Sequence, residues 1–86
     1  MEKKIKGFVI ERSDNIDTLS FKIKVSEVTI CNVINCYRVS TDPDAMAEGV
    51  ECYKGNIVLD AEFIIRNVSA CLWVYPDNSC VIVYND

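Results

Sequence analysis

The chain has 86 residues, a net charge of −4 and no histidine. A single domain of this length buries only about 60% of the surface its unfolded form exposes, which leaves no room for a barrel enzyme or a two-domain dinucleotide fold. Half of its residues are hydrophobic (50%), too many for a disordered chain.

Without histidine there is no Ser-His or Cys-His dyad, no side chain that titrates near neutrality in its ordinary state, and no commonest metal ligand. No enzymatic activity and no catalytic residue are therefore expected. The three glycines, Gly7, Gly49 and Gly55, lack the spacing of a phosphate-binding loop, so no nucleotide cofactor is expected either. The five cysteines, at 31, 36, 52, 71 and 80, are odd in number and cannot form a complete internal disulfide set. Cys31 and Cys36 stand in a C-x4-C spacing, but no second close pair completes a zinc set, and no metal site is expected. The N-terminal stretch carries early lysines and no apolar run long enough for a signal peptide or a membrane span. The expectation is a cytoplasmic protein with reduced thiols and no membrane association.

Residues 3–11 and 18–25 read as two strands around a turn-rich loop at 12–17. The second alternates, with Leu19, Phe21, Ile23 and Val25 on one face and Ser20, Lys22 and Lys24 on the other. An antiparallel register that sets Val9 against Phe21, Gly7 against Ile23 and Ile5 against Val25 makes one face wholly apolar. The other face then gathers Lys4, Lys6, Lys22 and Lys24 around Phe8 and Ile10.

Residues 26–39 are rich in β-branched side chains, yet Ile30, Val33, Ile34 and Tyr37 fall at helical spacing behind Ser26 as an N-cap. Asn32 and Asn35 would point to opposite faces of a strand, so the spacing predicts a helix. Residues 42–55 predict a second helix: Asp42 as N-cap, Pro43 at the first turn, Gly55 at the C-terminal left-handed position, and Met46, Val50 and Tyr53 on one stripe. Asp42 leads into a ridge of Asp44, Glu48 and Glu51 on the opposite side. Residues 57–59 read as a short strand and 61–68 as a short helix, with a strand at 62–66 as the alternative. Residues 71–75 and 80–84 read as a hairpin closed by the turn chemistry of 76–79.

The fold expected is a small single α+β domain over residues 1–86: a mainly antiparallel sheet of about four to five strands with about one to three helices packed on it. Charge is split along the chain. Residues 1–25 hold Lys3, Lys4, Lys6, Arg12, Lys22 and Lys24 against four acids, whereas 42–62 hold Asp42, Asp44, Glu48, Glu51, Asp60 and Glu62 against Lys54 alone. An acidic chain argues against generic phosphate-backbone binding, so nucleic acid is a disfavoured partner. In size and charge split, with no motif to carry it, the chain resembles the compact inhibitors that phages and mobile elements direct against host nucleases. That likeness implies a protein-binding module that sets Asp42, Asp44, Glu48 and Glu51 into a basic, nucleic-acid-binding cleft on its target. The alternative is a homo-oligomeric accessory subunit joined through the edge of the C-terminal hairpin. A third reading is a nucleic-acid binder that uses the N-terminal lysine face with Phe8.

Overall fold

The computed structural model describes residues 1–15, 17–39, 43–44, 48–61 and 64–85. Among these residues six strands follow one another: β1 (Glu2–Asp14), β2 (Leu19–Lys24), β3 (Ile30–Arg38), β4 (Glu51–Ala61), β5 (Ile64–Val74) and β6 (Ser79–Asn85). Each pairs antiparallel with the next, and β6 returns to β1, so the sheet closes into a barrel. The expected α+β architecture is thereby overturned: no helix packs on the sheet among the described residues, and their helical backbone is confined to Pro43 and Asp44.

Closure depends on β1 serving two neighbours. Its first half, to Phe8, pairs with β6, and from Phe8 onward it pairs with β2. The handover needs a bend. It falls where Gly7 meets the Lys24 carbonyl, whose oxygen lies 2.5 Å from where a Cβ would stand, and where the ladder slips between Val9 and Glu11. That slip corrects the expected register, since Val9 lies opposite Ile23 and Arg12 opposite Phe21, while Ile5 pairs with Ile82 of β6. Up to Val9 the register keeps the expected parity, with Phe21 and Ile23 inward and Lys22 and Lys24 outward, and beyond the slip the parity of β1 inverts, so Arg12 shares the face of Phe21.

The expected helix over 26–39 is a turn followed by β3. Ser26 accepts from Val28 through its hydroxyl (3.4 Å) and from Thr29 through its carbonyl (3.4 Å), so it caps a tight turn. The helical spacing has a local cause. Asn35 adopts φ 54° and adds a residue to β3, where the register slips between Ile34 and Tyr37. Val33 before the bulge and Cys36 after it both point inward, which mimics an i, i+3 stripe, and Asn32 and Asn35 are both exposed.

The expected helix over 42–55 yields to β4 at Glu51. Its start is real: Pro43 and Asp44 are helical, and the Glu48 N–H donates to the Asp44 carbonyl at 3.2 Å. Asp42 and Met46 lie outside the described residues. Gly55 is no helix terminus but the place where β4 crosses the β3 bulge, with Cys36 Sγ 2.6 Å and the Ile34 oxygen 2.8 Å from its would-be Cβ. The expected helix over 61–68 is likewise replaced, because β5 runs unbroken from Ile64 to Val74 and pairs with β4 as far as Ala61 opposite Ile64. The alternative strand at 62–66 overlaps β5 from residue 64; residues 62 and 63 lie outside the described residues.

The C-terminal hairpin is present, with Val74 opposite Cys80 and Leu72 opposite Ile82. Pro76 leads the turn, the Asn78 N–H donates to the Tyr75 carbonyl at 2.9 Å, and Asn78 takes φ 70°. Asp77 accepts from the Ser79 N–H at 2.9 Å and from its hydroxyl at 2.6 Å, which holds the Asp77 carboxyl below its ordinary range.

Inward-facing side chains from all strands meet in one cluster: Phe21, Ile23, Val33, Cys36, Tyr53, Ile57, Ala70, Leu72, Cys80 and Ile82, with Ile5 and Val9 of β1 packed against it. Each fully buried Ile or Leu contributes roughly 1.5–3 kcal/mol of apolar transfer.

Candidate functional site

The barrel interior is filled by these side chains, and no polar or charged group is buried among the described residues. At six strands the described interior is taken up by side chains. Binding chemistry is left to the barrel mouth, the connections and the outer face.

The mouth carries an ion-pair cluster. Beyond the β1 slip, Arg12 points to the inner side and its guanidinium carbon lies 5.6 Å from the centroid of Phe21 and 5.7 Å from that of Tyr53. The Tyr53 hydroxyl donates to Glu51 Oε2, which also stands 3.7 Å from Arg12 Nη1, and Asp14 lies 3.5 Å from Arg12 Nε. Burial first, and the bond to Glu51 second, push the Tyr53 hydroxyl above its ordinary value. One guanidinium stands against two carboxylates, so the cluster ties its polar groups to one another across the barrel end and keeps an excess of negative charge.

The expected acidic ridge is therefore divided. Asp44 and Glu48 are exposed on the connection before β4, Asp42 falls outside the described residues, and Glu51 sits on a strand against Arg12 and Tyr53. A single row requires helical geometry through 55, and β4 begins at Glu51, so the four carboxylates do not form one ridge.

The outer face of β1 and β2 presents Lys4, Lys6, Phe8, Ile10, Lys22 and Lys24, all exposed. Lys22 meets Glu11 at 3.5 Å and Lys24 meets Glu27 at 3.7 Å, both between exposed side chains and each worth little. Phe8 and Ile10 are 57% and 54% exposed, among the most exposed large apolar side chains of the chain. A groove of about 400 Å³ runs beside them, lined by Lys6, Phe8, Lys24, Val25, Tyr75 and Val81 among others. The C-terminal hairpin carries three aromatic side chains, Trp73, Tyr75 and Tyr84. The structure separates them: Tyr84 packs against the core, Trp73 is half-buried, and Tyr75 is 40% exposed at the turn beside Phe8.

All five cysteines are free thiols, with Cys36, Cys52 and Cys80 buried. Burial pushes the Cys36 and Cys80 thiols up to about 11, far from a reactive thiolate. No group of metal-ligating side chains is assembled among the described residues. None of their helices is long and apolar enough to cross a membrane.

The class this arrangement defines is a filled, six-stranded antiparallel β-barrel with a cationic and aromatic outer face. No protein-family model, curated protein or solved structure matches the chain.

Proposed function

We propose that the protein is a non-enzymatic protein-binding module that works through the outer face of β1 and β2. The observation that carries this is the placement of Phe8 and Ile10, more than half exposed and ringed by lysines, on a barrel whose interior is already full. Exposed aromatic and aliphatic anchors inside a charged rim are the anatomy of an interface core. The partner that fits is a protein surface with an apolar ridge edged by carboxylates, set into the groove between Phe8 and Tyr75. The lysines would steer the encounter and the apolar side chains would hold it.

The acidic-inhibitor reading keeps one specific observation, the exposure of Asp44 and Glu48 in a chain of net charge −4. It would use the connection before β4 against a basic cleft.

Photocrosslinking separates the two. A benzophenone side chain replaces Phe8 in one variant and Glu48 in another, each expressed in the source cells. Protein adducts from position 8 support the β1–β2 face, and binding of that purified partner should weaken about tenfold or more in Phe8→Ser and stay unchanged in Glu48→Lys. Adducts from position 48 alone would favour the acidic connection. Nucleic acid recovered from position 8 would replace the protein reading with the third one.

A further inference from the structure

We infer that the partner of the β1–β2 face presents an extended segment in which acidic and apolar side chains alternate, laid along two parallel rows on the outer surface of the barrel. The inference rests on the protein-binding reading above and adds the form of what is bound. The rows follow from the change of partner on β1. Before it, Lys4 lies opposite Val83 and Lys6 opposite Val81 of β6. From Phe8 onward, Lys24 of β2 lies opposite Phe8, and Lys22 faces Ile10 and Glu11 together at the slip. In the first two pairs β1 supplies the lysine, and in the last two it supplies the apolar side chain. The lysine row thus passes from β1 to β2 at the level where the apolar row passes from β6 to β1.

All four pairs lie on the outer face. Lys4, Lys6, Phe8 and Ile10 are exposed and alternate with half-buried neighbours on β1, and Lys22 and Lys24 flank the buried Ile23. Val81 and Val83 are half-buried on either side of the buried Ile82. Lys6, Val81, Phe8 and Lys24 all line the groove of about 400 Å³, so the two rows run on without a break where the strands change over. Positions two apart on a strand recur at roughly 6.7 Å, the diagonal step from Lys6 to Lys24 is about 7–8 Å, and adjacent strands lie about 4.8 Å apart. The rows are therefore roughly 20 Å long and about 5 Å from each other.

Charge selects the occupant. Among the described residues Lys4 and Lys6 form no ion pair, and the exposed pairs of Lys22 with Glu11 and of Lys24 with Glu27 are weak enough to exchange for another carboxylate. Glu2, two residues before Lys4 on the same face, marks the end of the row. Spacing selects the form. In an extended segment alternate side chains point to opposite sides and recur at the same roughly 6.7 Å, so carboxylates follow one row while apolar side chains follow the other. A helix brings carboxylates four residues apart to about 6 Å and drifts out of step along the rows. A nucleic-acid strand would stack its bases on aromatic faces, whereas Val81, Val83 and Ile10 make three of the four apolar positions aliphatic. A bilayer needs apolar side chains that protrude, whereas Val81 and Val83 lie half-buried beside exposed lysines, a floor that receives side chains.

Fluorescence anisotropy on the full chain tests this with a labelled N-acetyl-Glu-Val-Glu-Val-Glu-Val-Glu-Val-amide. The comparisons are a peptide of the same composition with its glutamates and valines in separate blocks, an alternating glutamate–serine peptide, an oligo(dT) of matching length, and phosphatidylserine vesicles. The expected result is a dissociation constant of about 10–100 µM for the alternating glutamate–valine peptide, at least about tenfold tighter than for the other two peptides and weakening as salt is raised. Lys4→Glu and Lys22→Glu, at opposite ends of the lysine row, should each weaken it about fivefold or more, and Lys54→Glu, exposed on β4, should leave it unchanged. All three positions are exposed, so the barrel keeps its fold in each variant. No binding up to about 1 mM, equal affinity for the alternating and block peptides, indifference to both row variants, tighter binding of oligo(dT), or capture by the vesicles would each overturn the assignment. The protein-binding reading is judged separately, by the adducts from position 8.

Discussion

Arg12 on β1 lies over the ring of Tyr53 on β4, its guanidinium carbon 5.7 Å from the ring centroid. The two strands are not neighbours in the barrel, so this contact spans its mouth. Glu51, held by the Tyr53 hydroxyl and by Arg12, completes the closure. Replacement of Glu51 by Lys would set two cations together above Phe21 and leave the Tyr53 hydroxyl without its acceptor. The expected cost is about 1–2 kcal/mol, moderated because Glu51 and Arg12 are both more than a third exposed. Glu48→Lys, on the exposed connection, should change stability by less than about 0.5 kcal/mol. Urea unfolding of the two variants checks the contrast. Equal midpoints would show that the mouth cluster contributes nothing.

The β3 bulge and the glycine that faces it make a second pair. At φ 54°, Asn35 occupies a left-handed conformation that Asn and Gly tolerate and Ala resists. Asn35→Gly should be close to neutral and Asn35→Ala should cost about 1 kcal/mol. Gly55→Ala is the harsher change, because a methyl group would stand 2.6 Å from Cys36 Sγ and 2.8 Å from the Ile34 backbone oxygen. A loss of about 2–3 kcal/mol is expected. Cys36→Ala in the same chain should restore only part of it, since the Ile34 carbonyl does not move away. Full rescue would place the whole clash on the thiol.

These two residues also explain what could be read from the sequence. The β1–β2 hairpin and the C-terminal hairpin were legible because Leu19 to Val25 alternate strictly and because Pro76 and Asn78 sit where a turn needs them. The lysine face followed from the same alternation. The helices expected at 26–39 and 42–55 came from real local signals that long-range pairing overrode. One added residue at Asn35 turns a period of two into an apparent i, i+3 stripe, and a helical start at Pro43 and Asp44 does form before β4 captures the chain at Glu51. Barrel closure was not legible, because it rests on β1 changing partners at Phe8, a choice made by β6 some seventy residues later. Closure in turn removes the edge of the C-terminal hairpin proposed for assembly, as β6 has β5 on one side and β1 on the other.

The barrel core offers a direct measure of packing. Leu72 and Ile82 lie opposite each other, and both are completely buried. Truncation of either to Ala leaves a void that neighbouring strands, fixed by ladder bonds on both sides, cannot collapse into. A loss of about 3–4 kcal/mol is expected for each, with a non-additive pair because the two voids merge. Thermal or urea unfolding of the two single variants and the double variant reads this directly, and strictly additive losses would argue that the cavities stay separate.

The last expectation concerns the thiols and alkaline pH. Cys36 and Cys80 are pushed from an ordinary 9.0 up to about 11 in the folded protein, chiefly because burial disfavours the thiolate. A group whose pKa is raised on folding adds its full stability below the unfolded value and loses it as pH climbs through the folded one. Stability contributed by these thiols should therefore be flat up to about pH 8 and fall between about pH 9 and 11, by on the order of 2–3 kcal/mol for each thiol. Cys36→Ala and Cys80→Ala would each lower stability at neutral pH through the lost side-chain volume, yet flatten this alkaline decline. That opposite pair of effects distinguishes thiol ionisation from the titration of tyrosines and lysines, which a cysteine substitution leaves in place. Alkylation should follow the same logic. At pH 8 the half-buried Cys31 and Cys71 should react in the native state, and Cys36, Cys52 and Cys80 only after unfolding. Rapid native labelling of Cys36 or Cys80 would mean that the barrel opens far more often than its filled interior implies.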